Sequence, residues 1–105
     1  MVHRLIVRYG EPTDPAAFDQ YYRDVHTGLA QAIPGLVRFT IGHPQALDGS
    51  PAPYLVAELD FESAEAMGAA MNSEAGRAAG ADVANFATGG ATMISYDVED
   101  LSPAG

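Results

Sequence analysis

Four segments of the chain alternate apolar and polar side chains with a period of two, and the stretches between them carry apolar residues at helical spacing. From Val2 to Tyr9, the residues His3, Leu5, Val7 and Tyr9 point one way, while Val2, Arg4, Ile6 and Arg8 point the other. Gly10 to Thr13 interrupts the pattern. Asp14 followed by Pro15 is a helix start, because the Asp side chain caps free amides and proline fits the first turn. The helix that follows repeats Phe18, Tyr22, Val25, Leu29 and Ile33 along one stripe and stops at Pro34-Gly35. Leu36 to Gly42 reads as a second strand, with Val37, Phe39 and Ile41 opposing Leu36, Arg38 and Thr40. A loop rich in Pro, Gly, Asp and Ser leads to a third strand, Tyr54 to Phe61, in which Leu55, Ala57, Leu59 and Phe61 share a face. Ser63 caps a helix from Ala64 to Met71. Asn72-Ser73 breaks it, and Glu74 to Ala84 forms a further helix of small residues that Gly76 and Gly80 weaken intrinsically. Asn85 to Gly90 reads as a turn, Ala91 to Val98 as the last strand, and residues 99–105 as an acidic tail.

The order is β-α-β-β-α-β, which predicts an α+β domain over residues 1–98 on the ferredoxin-like plan: a four-stranded antiparallel sheet with helices on one face. Apolar residues stand on both faces of the strands, as with Ile6 and Val7, Val56 and Leu59, and Met93 and Ile94. The uncovered face needs a partner, and a second copy of the chain supplies one most economically, so a homodimer is expected.

Composition narrows the chemistry. The chain has 105 residues, 14 Asp+Glu against 5 Lys+Arg, a formal charge of -9 and no cysteine. The acidic balance argues against a nucleic-acid partner, which needs a basic face. The missing cysteines remove disulfides, thiolate metal sites and cysteine nucleophiles. Every cation is an arginine, so lysine Schiff-base chemistry is excluded. No apolar run is long enough for a membrane span, and the N-terminal apolar run is too brief for a signal core, which predicts a cytoplasmic protein without a membrane partner.

His26 is the most informative polar residue. It lies at the edge of the buried helical stripe, beside Tyr22, where an imidazole reaches the space between helix and sheet and can serve as a general base or acid. The alternative is a boundary histidine satisfied by a carbonyl or a hydroxyl. His3 is expected to be exposed at the start of its strand, and His43 opens a loop; the three histidines show no metal-ligand spacing. The set Tyr9, Tyr21, Tyr22, Phe39, Tyr54, Phe61, Phe86 and Tyr96 could line an apolar pocket for an aromatic ligand, with Tyr9, Phe39, Tyr54 and Phe86 the leading binding candidates and ordinary core packing the competing role. Arg4 and Arg8 share a strand face and are placed to meet acidic residues of a partner chain. No nucleotide, flavin or phosphate-loop fingerprint is present, so no cofactor is expected.

The run Phe18-Asp19-Gln20-Tyr21-Tyr22-Arg23-Asp24-Val25-His26, then Leu29-Ala30 and Pro34-Gly35-Leu36, resembles the EthD family of small dimeric α/β-barrel proteins. The likeness continues through Pro53-Tyr54, Glu58-Leu59 and Phe61 to Asn85-Phe86-Ala87-Thr88-Gly89-Gly90. It implies a ferredoxin-like protomer whose sheet pairs with a second to close a barrel, and an association with ethyl tert-butyl ether degradation, sometimes under an oxidoreductase label. The wider superfamily includes cofactor-free monooxygenases, polyketide cyclases, lactone isomerases and haem enzymes. By this resemblance His26 matches the family's helix-end histidine and Tyr22 the aromatic before it. Thr27-Gly28 departs from the family, which commonly has a proline at the second position. Two functions are therefore carried forward. One is cofactor-free proton transfer or oxidative chemistry on a small apolar or aromatic metabolite by His26 and Tyr22. The other is a non-catalytic binding or accessory protein for such a metabolite. A haem role is the third, set back by the absence of tryptophan.

Overall fold

The computed structural model describes residues 1–104; Gly105, the end of the expected acidic tail, lies outside the described residues. Strands β1 (His3–Tyr9), β2 (Arg38–Gly42), β3 (Leu55–Phe61) and β4 (Ala91–Asp97) form one antiparallel sheet in the order β2-β3-β1-β4. Central β1 is paired along its whole length, with Leu5 opposite Leu59 on one side and Ser95 on the other. This is the ferredoxin-like plan. The alternation in β1 and β3 separates two faces: Leu5, Val7, Tyr9, Leu55, Ala57, Leu59 and Phe61 are buried under the helices. Strand β2 is shorter than its sequence pattern predicts, since Leu36 and Val37 precede the paired segment.

The first helix is built in three pieces that run on without a break: α1 (Pro15–Tyr21), a π turn (Tyr22–His26) and α2 (Thr27–Gln31). Asp14 caps it by accepting from the Ala17 amide at 3.1 Å. The π turn changes which residues face inward. A straight α-helix puts Val25 and Leu29 in the stripe with Phe18 and Tyr22. The extra residue in the wide turn rotates everything after it, so the buried set is Phe18, Tyr22, His26, Ala30 and Ile33, and Val25 is turned outward at 41% exposure. The Tyr22 carbonyl accepts the Thr27 amide, the bond that closes the wide turn, and, at 2.8 Å, the Thr27 hydroxyl.

The second helical layer is α3 (Ala64–Asn72) and α4 (Glu74–Phe86). Ser63 caps the first and Ser73 the second, as expected. Helix α4 runs past the expected end at Ala84 and includes Asn85 and Phe86, because Phe86 is buried among aromatic rings and extends the packed face. Only Ala87 to Gly90 remains as the turn, with Gly90 at a φ of 86°. Gly76 is a packing requirement rather than a weakness: a Cβ there would lie 2.1 Å from the Ala70 carbonyl oxygen, so α4 meets the end of α3 backbone to backbone.

His3 departs from expectation. Pairing of β4 up to Asp97 covers it, and its Nδ1 lies 2.8 Å from the Asp97 carboxylate. On the open sheet face, Arg4 finds its carboxylates in its own chain: Nε and Nη2 donate to Asp60 at 2.7 and 3.1 Å, and Glu58 is 3.4 Å away. Around this network Ile94 and Tyr96 are each 45% exposed.

Gly76→Ala improves intrinsic helix propensity yet forces the two backbones apart, so it is expected to lower stability by about 1–3 kcal/mol. Urea unfolding of the variant measures this, and an equal or higher stability would show that α3 and α4 do not meet as described.

Candidate functional site

Three elements converge on His26. The π turn aims its imidazole beneath the helices, where the Phe86 ring lies with its centroid 4.7 Å away and the Tyr22 ring 5.0 Å away. Its Nδ1 is 2.9 Å from Oδ2 of Asp82 on α4, and both side chains are 7% exposed. The other carboxylate oxygen, Oδ1, accepts the Tyr21 hydroxyl at 2.5 Å and the Asn85 amide at 3.0 Å. Neighbours Tyr21 and Tyr22 thus both serve this cluster, one holding Asp82 and the other packing against His26.

Electrostatics fixes the protonation pattern. Burial is the largest single influence on Asp82 and pushes its pKa up. Hydrogen bonds from Tyr21, Asn85 and His26 together outweigh it, and the carboxyl ends below its ordinary 3.8. Asp82 is therefore an anion at neutral pH and accepts from every partner. The proton of a neutral imidazole then sits on Nδ1, leaving Nε2 as the basic nitrogen. The Tyr21 hydroxyl is held protonated above its usual range, chiefly by donating to Asp82. Tyr9 is pushed up to about 12, mainly by burial, and burial raises Tyr22 as well; their rings meet edge to face with centroids 5.8 Å apart. All three phenols are neutral donors under ordinary conditions.

His26, Tyr22 and Tyr9 form the polar wall of a cavity of about 50 Å³ between the helices and the sheet. Elsewhere the cavity is apolar, with Phe39 of β2, Met71 of α3 and Met93 of β4 among its walls. Of the residues expected to bind substrate, Tyr9 and Phe39 line it, and Phe86 supports the His26 ring from behind. Tyr54 stands apart: its hydroxyl donates to Asp19 at 2.8 Å, and its ring meets Phe18 edge-on. His43 is far from a ligand role, with Nδ1 2.9 Å from the Tyr54 carbonyl oxygen. Among the described residues no group of three His, Asp or Glu side chains is placed to hold a metal, and no helix is long and apolar enough to cross a membrane.

Asp82 was not among the residues singled out from the sequence; Tyr21 was read as a possible pocket aromatic, and Asn85 only as part of a turn. A signal for Asp82 was present: it is the one charged residue between Arg77 and Phe86, and it shares a helical face with Ala79 and Phe86. An anion on a buried face needs donors nearby.

Residues 10–90 match the EthD domain profile. The chain belongs to the EthD family. An uncharacterised 11.0 kDa protein of the thcB–thcC intergenic region of Rhodococcus erythropolis is 46% identical over 103 residues, covering 97% of this chain and all of that protein. An EthD family protein of Bacillus halodurans superposes with a TM-score of 0.87 at 30% identity, over 94% of this chain and all of the other. More distant structures share the fold alone. A dimeric ferredoxin-like protein of Thermobifida fusca has a TM-score of 0.70 at 18% identity, over 93% and 92% of the two chains. SnoaB, a cofactor-independent oxygenase of Streptomyces nogalater, has a TM-score of 0.69 at 16% identity, over 98% of each.

Asp82→Asn keeps the side-chain shape and removes the charge, and is expected to cost about 1.5–3 kcal/mol near neutral pH, the scale of a hydrogen bond to a buried charged group. Because the folded-state pKa is depressed, this advantage of the native protein is complete above the ordinary carboxylate value and is lost as pH falls through the lowered one. Urea unfolding of both proteins from neutral pH down into that acid range tests the assignment; a gap that stays constant at the acid end contradicts it.

Proposed function

We propose that this EthD family protein binds a small, largely apolar metabolite in the cavity under its helices and moves a proton on it with His26. The observation that carries this reading is the histidine itself: Nδ1 is engaged by a buried, ionised carboxylate while the ring lines an apolar cavity. Asp82 selects the tautomer that leaves Nε2 basic and stabilises the imidazolium formed when Nε2 takes a proton. Tyr22 and Tyr9 are neutral donors at the same wall, placed to hydrogen-bond an oxygen on which negative charge develops. The reaction class this supports is proton abstraction next to a carbonyl or on a phenol, which opens the way to isomerisation, cyclisation or reaction with oxygen. None of these roles requires a group beyond the chain's own side chains. The cofactor-independent oxygenase with the same fold supports the reading as an analogy of fold.

The working unit in this proposal is a homodimer joined through the open sheet face. Ile6, Val56, Ile94 and Tyr96 give that face an apolar strip, and the Arg4–Asp60 pair gives it a fixed charge pattern. The dimeric neighbour of the same fold supports it. Ile94→Asp alters an exposed side chain and is expected to leave the protomer folded while converting the dimer to monomer. Sedimentation analysis reads the change, and an unaltered dimer rules out this face.

Without knowledge of the natural substrate, proton transfer can be read as deuterium uptake from heavy water into small neutral carbon acids such as cyclic β-diketones and butenolides. The native protein is expected to accelerate uptake, and His26→Ala to reduce the acceleration about 100-fold or more, the scale of a lost general base. Uptake that persists in a folded His26→Ala protein, or is absent in the native one, overturns the proton-transfer role.

A further inference from the structure

Helix α4 contains two interior glycines with different surroundings. Gly76 is accounted for by the α3 backbone against it. Gly80 is not: a Cβ built there meets no heavy atom within 4 Å, and its backbone φ is in no region that favours glycine. Glycine is among the poorest residues for a helix interior, so packing and conformation alone would favour alanine at this position. Gly80 nonetheless forms part of the cavity wall while standing exposed to solvent, as does Met93 across from the helices on β4. The cavity therefore reaches solvent at these residues, and the missing side chain leaves space at its rim.

We infer that Gly80 is a specificity-determining residue of the cavity, keeping its entrance open for a neutral ligand whose substituent extends outward past α4. This rests on the cavity being the ligand site, as proposed above, and adds which part of the ligand is selected and by what. The charge requirement follows from the walls. Their polar atoms belong to Tyr9, Tyr22 and His26, and no arginine lines the cavity. An anionic ligand would lose its hydration without gaining a cation, and it would approach the buried negative charge of Asp82. Met71 and Met93, long and unbranched, let the walls adapt to ligand shape, so the fixed limit on substituent size falls at the helix backbone of Gly80.

The test compares phenol, 4-propylphenol and 4-propylbenzoate as probes, with binding followed by amide chemical shifts in NMR titrations. The native protein is expected to bind both phenols and to bind the benzoate at least 10-fold more weakly. Gly80→Val is expected to weaken 4-propylphenol at least 10-fold and phenol less than 3-fold. Ala78→Val, on the exposed side of the same helix, is expected to change neither. Valine is a better helix former than glycine and its Cβ meets no atom here, so the variant is expected to fold, which its amide spectrum reports. Equal affinity of the native protein and Gly80→Val for 4-propylphenol overturns the inference, as does a failure of the native protein to bind either phenol. Selective loss in Gly80→Val together with no deuterium uptake by the native protein removes proton transfer and leaves the entrance role of Gly80 standing.

Discussion

The candidate site depends on a carboxylate that should not be stable where it is. Asp82 is almost wholly buried, and burial on its own pushes its pKa up, toward the neutral form. It stays ionised because three donors converge on it: Tyr21 and His26 from the first helix and Asn85 from its own. Two of the three cross between helices, so this set of donors exists only in the folded arrangement and the carboxylate ties the first helix to α4. Removing one donor leaves a desolvated charge short of a partner, which costs more than the hydrogen bond itself contributes. The same carboxylate sets the histidine's tautomer through a contact made behind the cavity.

That geometry has its origin in one residue too many in a helical turn. Phe18 and Tyr22 are inward in any helix that begins at Asp14. Beyond them, α periodicity places Val25 and Leu29 inward, and the sequence pattern reads that way. The π turn shifts the register so that His26 and Ala30 are buried and Val25 faces water. A π turn is locally costly. Here the Tyr22 carbonyl, which accepts the Thr27 amide across the wide turn, accepts the Thr27 hydroxyl as well. His26 was legible as an edge residue. Its full burial was not, because that depends on a backbone hydrogen-bond choice that periodicity does not encode.

The strands were the most legible part of the chain because their alternation in β1 and β3 coincides with the two faces actually formed. Errors gathered where tertiary contact overrides local preference. His3 is covered by the far end of β4, Phe86 is drawn into the aromatic cluster and prolongs α4, and Arg4 is satisfied by β3 of its own chain. Gly76 is the clearest case. Local propensity marks it as a weak point, whereas the Ala70 carbonyl 2.1 Å from its absent Cβ makes glycine a condition of the packing. Aromatic residues illustrate the same limit on the site: Tyr9 and Phe39 reach the cavity, while Tyr54, similar in character, is held away by Asp19.

Strand β1 joins the two halves of the molecule's logic. Its odd-numbered residues Leu5, Val7 and Tyr9 form part of the cavity wall, and its even-numbered residues Arg4, Ile6 and Arg8 face the open side of the sheet. Any partner that covers the open side therefore packs against the reverse of the cavity wall, one strand thickness away. Such cover would remove water from the Arg4–Asp60 pair, so that losing one partner would cost far more than it does while the other can be solvated. The aromatic packing above β1 and the charge network below it thus restrain the same backbone from opposite sides. Tyr9, whose ring meets that of Tyr22 edge to face, then has its position relative to His26 set by the sheet as well as by the helices.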